Sequence, residues 1–154
     1  MRYQSLLLLL AVGSANAATL EVAVSQGTEK PMLFTYKLTG ERQTLDLRDS
    51  DRYTVAIHDS ARKKDICRDA EYRTGMVMNL RDVEKPENGK YKIEIVGQVS
   101  HLKSMTVQGT LDCGSNMVPV IENTAFSDTS VITIGQQKAM VVDGKTTLLL
   151  NIKE

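Results

Sequence analysis

The sequence predicts an all-β fold, an antiparallel β-sandwich or small barrel carrying one disulfide and leaving room for one short helix. Three observations lead there. Apolar residues recur with a period of two. Turn residues fall between the apolar blocks at short intervals. The two cysteines, Cys67 and Cys113, form an even pair.

The period is the strongest of the three. Leu20, Val22 and Val24 alternate with Thr19, Glu21, Ala23 and Ser25. Met32, Phe34, Tyr36 and Leu38 do the same, as do Tyr53, Val55 and Ile57. Met76, Met78 and Leu80 share a face, and so do Tyr91, Ile93 and Ile95. Met105, Val107, Leu111 and Cys113 follow, and Leu148, Leu150 and Ile152 close the chain. A strand turns successive side chains to opposite faces, so each block reads as one buried and one wetted face, the pattern of antiparallel sheets. Thr39-Gly40, Asp49-Ser50-Asp51, Asn88-Gly89, Gly114-Ser115-Asn116 and Asp143-Gly144 supply turns. Asp143-Gly144 fits a type I′ hairpin between the strands at 138–142 and 145–153. Nine or ten short strands are expected.

One segment departs from alternation. Residues 60–73 are dense in charge. Asp59 or Ser60 has the chemistry to cap a short helix presenting Ile66 and Ala70 to the core. Cys67 lies within it, so a bridge to Cys113 would pin this excursion to a strand.

The N-terminus reads as a secretory leader. Arg2 precedes an unbroken apolar run from Leu6 to Val12, and Ala15 and Ala17 supply the small residues of a cleavage site before Ala18. That run is far shorter than the roughly 20 residues a membrane helix needs, so no stable span is expected after cleavage. The division is a signal peptide at 1–17 and a single β domain at 18–154. Export fits a Cys67–Cys113 disulfide.

Composition narrows the function. Acidic and basic residues number 19 each over the whole chain, and loss of the leader with Arg2 leaves one acid in excess. The charges are interspersed, without the basic stripe that nucleic acid requires. Tryptophan is absent, and two Phe and five Tyr give few stacking platforms. No hydrolase elbow, phosphate loop or zinc-protease motif occurs, and only His58 and His101 are available as bases. Ser60 beside His58 is adjacent in sequence, which gives no triad geometry. Asp46, Asp49 and Asp51 crowd one turn, yet the glycine and downstream Glu of a calcium loop are missing. Met76 and Met78 on one face hint at copper, but Met32, Met76, Met78 and Met105 fall on faces assigned to the core. No catalytic, cofactor or metal residues are therefore assigned.

The tail from 121 to 153 loosely resembles the terminal β-hairpin region of secretin-type envelope proteins, through residues 130–134, Gly135 and residues 148–152. The glycine-rich close of that family is missing, and the resemblance assigns no family.

The function expected is an exported, periplasmic or secreted, non-catalytic binding or assembly module for another envelope or extracellular protein. Its docking residues are expected at Arg62, Lys63, Lys64 and Arg68. The alternatives are a periplasmic carrier of a small ligand or copper, and a secreted enzyme inhibitor.

Overall fold

The computed structural model describes residues 18–27, 30–84 and 87–154, so the leader at 1–17 lies outside the described residues. Eight strands and no helix occur among the described residues: β1 Thr19–Gln26, β2 Met32–Lys37, β3 Gln43–Asp59, β4 Lys64–Asp82, β5 Lys90–Leu111, β6 Gly114–Thr133, β7 Gln137–Val141 and β8 Thr146–Lys153. They form two antiparallel four-stranded sheets in the orders β2-β1-β8-β7 and β3-β4-β5-β6. The second sheet is a simple meander. In the first, β1 and β8 lie side by side at the centre, Leu20 facing Ile152 and Val24 facing Leu148.

The core forms where the apolar faces of the central strands meet. Leu20 and Val22 from β1, with Leu148, Leu150 and Ile152 from β8, are fully buried. So are Met76 and Met78 of β4 and Ile93, Ile95 and Val99 of β5. Full burial of each such side chain contributes about 1.5–3 kcal/mol of transfer free energy, and this face is the chief reason the two sheets stack. Phe34 and Tyr36 on β2 and Met140 on β7 close the margins of this core.

The sandwich accounts for only part of sheet two. Pairing of β4 with β5 stops at Gly75↔Ser100. The β3–β4 ladder continues to Asp59↔Lys64, and the β5–β6 ladder to Leu111↔Gly114. The sheet therefore splits into two two-stranded ribbons that run on beyond the core. In the first, β4 contributes residues 64–74, about 35 Å of extended chain at ~3.3 Å per residue. The split needs glycine at its root. Gly75 has φ +115°, and a Cβ there would stand 2.3 Å from the Leu47 carbonyl oxygen. On the other side, register shifts between Leu102 and Ser104 and between Val107 and Thr110 bend β5 away.

Beyond the split, the ribbons are joined near their tips. The Cys67–Cys113 disulfide is present, with Cα atoms 5.9 Å apart. Beside it the Ala56 N–H donates to Asn116 Oδ1 at 3.3 Å.

Several sequence expectations change. The short helix over 60–73 is a hairpin turn followed by the first part of β4. Asp59 caps as expected but serves the turn, its Oδ1 accepting from the N–H groups of Ala61 and Arg62 at 3.1 Å each. Asp49-Ser50-Asp51 lies inside β3, paired with Thr74, Arg73 and Tyr72. Gly114 opens β6 rather than forming a turn. The described strands number eight rather than nine or ten because expected segments merge into long strands, as when β5 takes in both the 91–95 and the 105–111 blocks. The type I′ turn occurs at Asn88-Gly89, with φ of 50° and 70°, while at Asp143-Gly144 only the glycine enters the left-handed region.

Candidate functional site

The expected docking residues gather at the far end of the first ribbon, with one exception. Arg62 and Lys63 occupy the β3–β4 turn and Lys64 opens β4. The turn is tight enough to hold Lys63 at φ +50°. Arg62 projects with 79% of its side chain exposed, its Nε 3.7 Å from Asp59 Oδ2. An exposed pair at that distance contributes a few tenths of a kcal/mol and leaves the guanidinium available. Arg68 stands further along β4, opposite Val55.

Alternation along the ribbon sorts these residues into two faces. Lys64, Ile66 and Arg68 share one face, where their cross-strand partners are Asp59, Ile57 and Val55. Ile57 is 56% exposed there, at odds with the buried face expected for it, because the opposing sheet ends well short of the tip. Ile66, expected in the core, is only half-buried for the same reason. The result is an apolar centre of Ile57 and Ile66 between the cations Lys64 and Arg68. Sequence reasoning found the cations and missed the isoleucines.

The other face carries Asp65, Cys67 and their partners His58 and Ala56. His58 Nδ1 lies 2.6 Å from Asp65 Oδ1 and engages that carboxylate rather than Ser60. Between the two hairpin turns, His58, Lys63, Lys64, Asp65, Asp112 and Cys113 line a shallow recess.

The remaining chemical candidates resolve into structural roles. His101 Nε2 lies 2.9 Å from Asp143 Oδ2 and ties the arm root to the β7–β8 loop. Burial alone would raise the Asp143 pKa. Hydrogen bonds from His101, from the N–H groups of Lys145 and Thr146 and from the Thr146 hydroxyl outweigh it and bring the value down to about 2. The neighbouring Ser100 donates to Asn123 Oδ1 at 2.7 Å, away from His101.

A polar group that the sequence did not reveal lies where β6 meets β7. The Lys138 ammonium donates to Ser130 Oγ, the Ser130 hydroxyl donates to Asp128, and Lys138 Nζ is 3.6 Å from Asp128 Oδ2. Ser130 is buried. These contacts give the buried Ser130 hydroxyl its hydrogen-bond partners.

Asp46 and the pair Asp49 and Asp51 fall on opposite faces of β3 and do not converge. Asp46 is engaged by Arg48 (Nε at 2.7 Å), and that hydrogen bond holds its carboxyl at about 2. No cluster of three or more His, Cys, Asp or Glu suited to a metal ion occurs among the described residues. Met76 and Met78 fill the core with no exposure. Met32, assigned to the core, opens the edge strand β2 and is 43% exposed, and Met105 on the second ribbon is half-buried.

A cavity of about 450 Å³ opens at the arm root, lined by Gln26, Met32, Leu47, Asp49, His101 and others. Its walls are mixed in polarity.

No protein-family model matches the chain, and neither a curated protein nor a solved structure matches it.

Proposed function

We propose that this chain is an exported, non-catalytic binding module that offers the tip of its long ribbon to another protein of the cell envelope or the extracellular space. The observation that carries the reading is the tip face itself. Ile57 is more than half exposed at the end of a disulfide-stapled arm, and Lys64 and Arg68 flank it. An apolar anchor ringed by charge is the usual make-up of a protein-binding hot spot, since the anchor supplies burial and the rim supplies orientation. The reading places the module in an oxidising compartment, in keeping with its disulfide and with the leader read at 1–17.

The test is an in-cell crosslink and pull-down of the tagged protein from its native host, run in parallel on Ile57→Asp and on Arg62→Ala/Lys63→Ala/Lys64→Ala. One dominant protein captured by the parent and lost from Ile57→Asp supports the module. Capture unchanged in both variants removes the tip from the reading.

The cavity at the arm root favours a second reading, a carrier of a small ligand. Thermal-shift screening against small envelope metabolites and copper decides it. A stabilising ligand whose effect disappears in Leu47→Trp, which fills the cavity, supports the carrier.

A further inference from the structure

The disulfide lies beyond the point where β4 and β5 part, outside the core cluster. Cys113 lies in the turn between β5 and β6 and is exposed, whereas Cys67 is half-buried on β4. Cys67 Sγ lies against Gly114, where a Cβ would stand 3.4 Å from the sulfur. The recess between the two hairpin turns exposes Cys113 and has His58, Lys63, Lys64, Asp65 and Asp112 on its walls. An attacking thiolate therefore approaches Cys113 past two lysine ammonium groups, with two carboxylates balancing the wall. Cationic neighbours favour the thiolate form on which exchange depends.

The consequence of opening is confined by the topology. Past Gly75↔Ser100, no ladder of backbone hydrogen bonds joins the ribbons. Near the tips they are tied by the bridge and by the Ala56–Asn116 hydrogen bond, and β3 packs against β6 without a ladder between them. The core residues of β1, β8, β4 and β5 lie on the other side of the split.

From this we infer that Cys67–Cys113 is an exchangeable clasp. A protein dithiol opens it from the recess and releases the two ribbons from each other while the sandwich stays folded. In the first step a partner thiolate attacks Cys113 Sγ. The Cys67–Cys113 bond breaks, and Cys67 leaves with the electron pair and takes up a proton. The mixed disulfide on Cys113 is then resolved by the partner's second thiol, which frees Cys113 as a thiol. The partner dithiol is oxidised to a disulfide, and two electrons and two protons pass to this protein. The reverse sequence closes the clasp. The inference is independent of whether the tip docks a partner.

The experiment treats the folded, oxidised protein, without denaturant, with a reduced Cys-x-x-Cys oxidoreductase. New thiols are counted by mass-tagging, and amide hydrogen exchange is followed before and after. Two tagged thiols are expected, together with a loss of protection in residues 53–73 and 101–121 that exceeds the loss in β1 and β8, where protection falls only with the lower global stability. An oxidoreductase lacking its resolving cysteine is expected to remain attached through Cys113. Thiols that appear only in denaturant, a mixed disulfide on Cys67, or a loss of protection in β1 and β8 as large as that in the ribbons would each overturn the clasp. The double variant Cys67→Ala/Cys113→Ala keeps the test independent of the reductant. It must show the same ribbon-limited loss of protection, and uniform protection throughout would also defeat the inference.

Discussion

Phe126 lies across the bare backbone of Gly97. A Cβ at Gly97 would fall 2.4 Å from Phe126 Cζ, 2.7 Å from the Val77 carbonyl oxygen and 2.8 Å from Met78 Cβ. The two residues are cross-strand partners on β5 and β6, and Gly97 sits at the inward position between Ile95 and Val99. The ring occupies the space a side chain would need, an arrangement that rescues an otherwise weak glycine within a strand. Gly97→Ala should overpack this site and cost about 1–3 kcal/mol in urea unfolding. The double variant Gly97→Ala/Phe126→Leu should recover part of that loss. Full additivity of the two changes would argue that the contact does not govern the site.

Gly75 poses a different constraint, since it has both a positive φ and a backbone oxygen in the way. Gly75→Ala should destabilise by about 2–4 kcal/mol, through left-handed strain and displacement of β3 at Leu47. Thermal unfolding checks this. A variant as stable as the parent would mean that the ribbon bend does not depend on residue 75.

Asp143 links stability to acid. Its folded pKa of about 2 lies below its ordinary value of 3.8. A depressed carboxylate contributes stability that is present above the ordinary value and is lost as pH falls through the folded one. The window is therefore about pH 4 down to about pH 2, and the shift corresponds to about 2 kcal/mol. Urea midpoints for the parent should fall across that window by more than those of Asp143→Asn. Parallel curves would show that the His101 and Thr146 contacts carry no net linkage.

Removing the bridge acts largely through the unfolded chain. Cys67 and Cys113 are separated by 46 residues, and closing such a loop is worth about 4 kcal/mol by chain entropy. Cys67→Ala/Cys113→Ala should lose up to about that amount, and trypsin should cut at Arg62, Lys63 and Lys64 before Lys92 of β5 or Lys138 of β7. Unchanged cleavage kinetics at those three residues would speak against the bridge as the restraint on the tip.

Much of the sandwich was legible because its residues obey one rule. Leu20 to Val24, Met76 to Leu80 and Leu148 to Ile152 alternate, and each lies in the core. The arm was not legible because it leaves the core while remaining a strand. Asp49, Ser50 and Asp51 face water on both sides of a ribbon, so their composition imitates a turn. Residues 64–73 lose alternation for the same reason and imitate a capped helix. The bulge after Leu102 breaks the period within β5, so the 91–95 and 105–111 blocks read as separate strands. Of the candidate site, the charged residues were visible in the sequence. Exposure of Ile57 and Ile66 was not, because only the length of the opposing sheet decides whether an apolar strand face is covered.

The pairing of β1 with β8 also sets an order of assembly. Thr19 Oγ1 donates to the Lys153 carbonyl across a separation of 134 residues, whereas the ladders of sheet two join strands that follow one another. Closing the longer loop carries the greater entropic cost, and contacts so distant in sequence slow folding. The meander of β3 to β6 can therefore form before the C-terminal strand is available. The sheet that covers its apolar face waits until Lys153 has arrived. During that interval Met76, Met78, Ile93 and Ile95 stand open to solvent, and in that interval a nascent copy is most prone to associate with another.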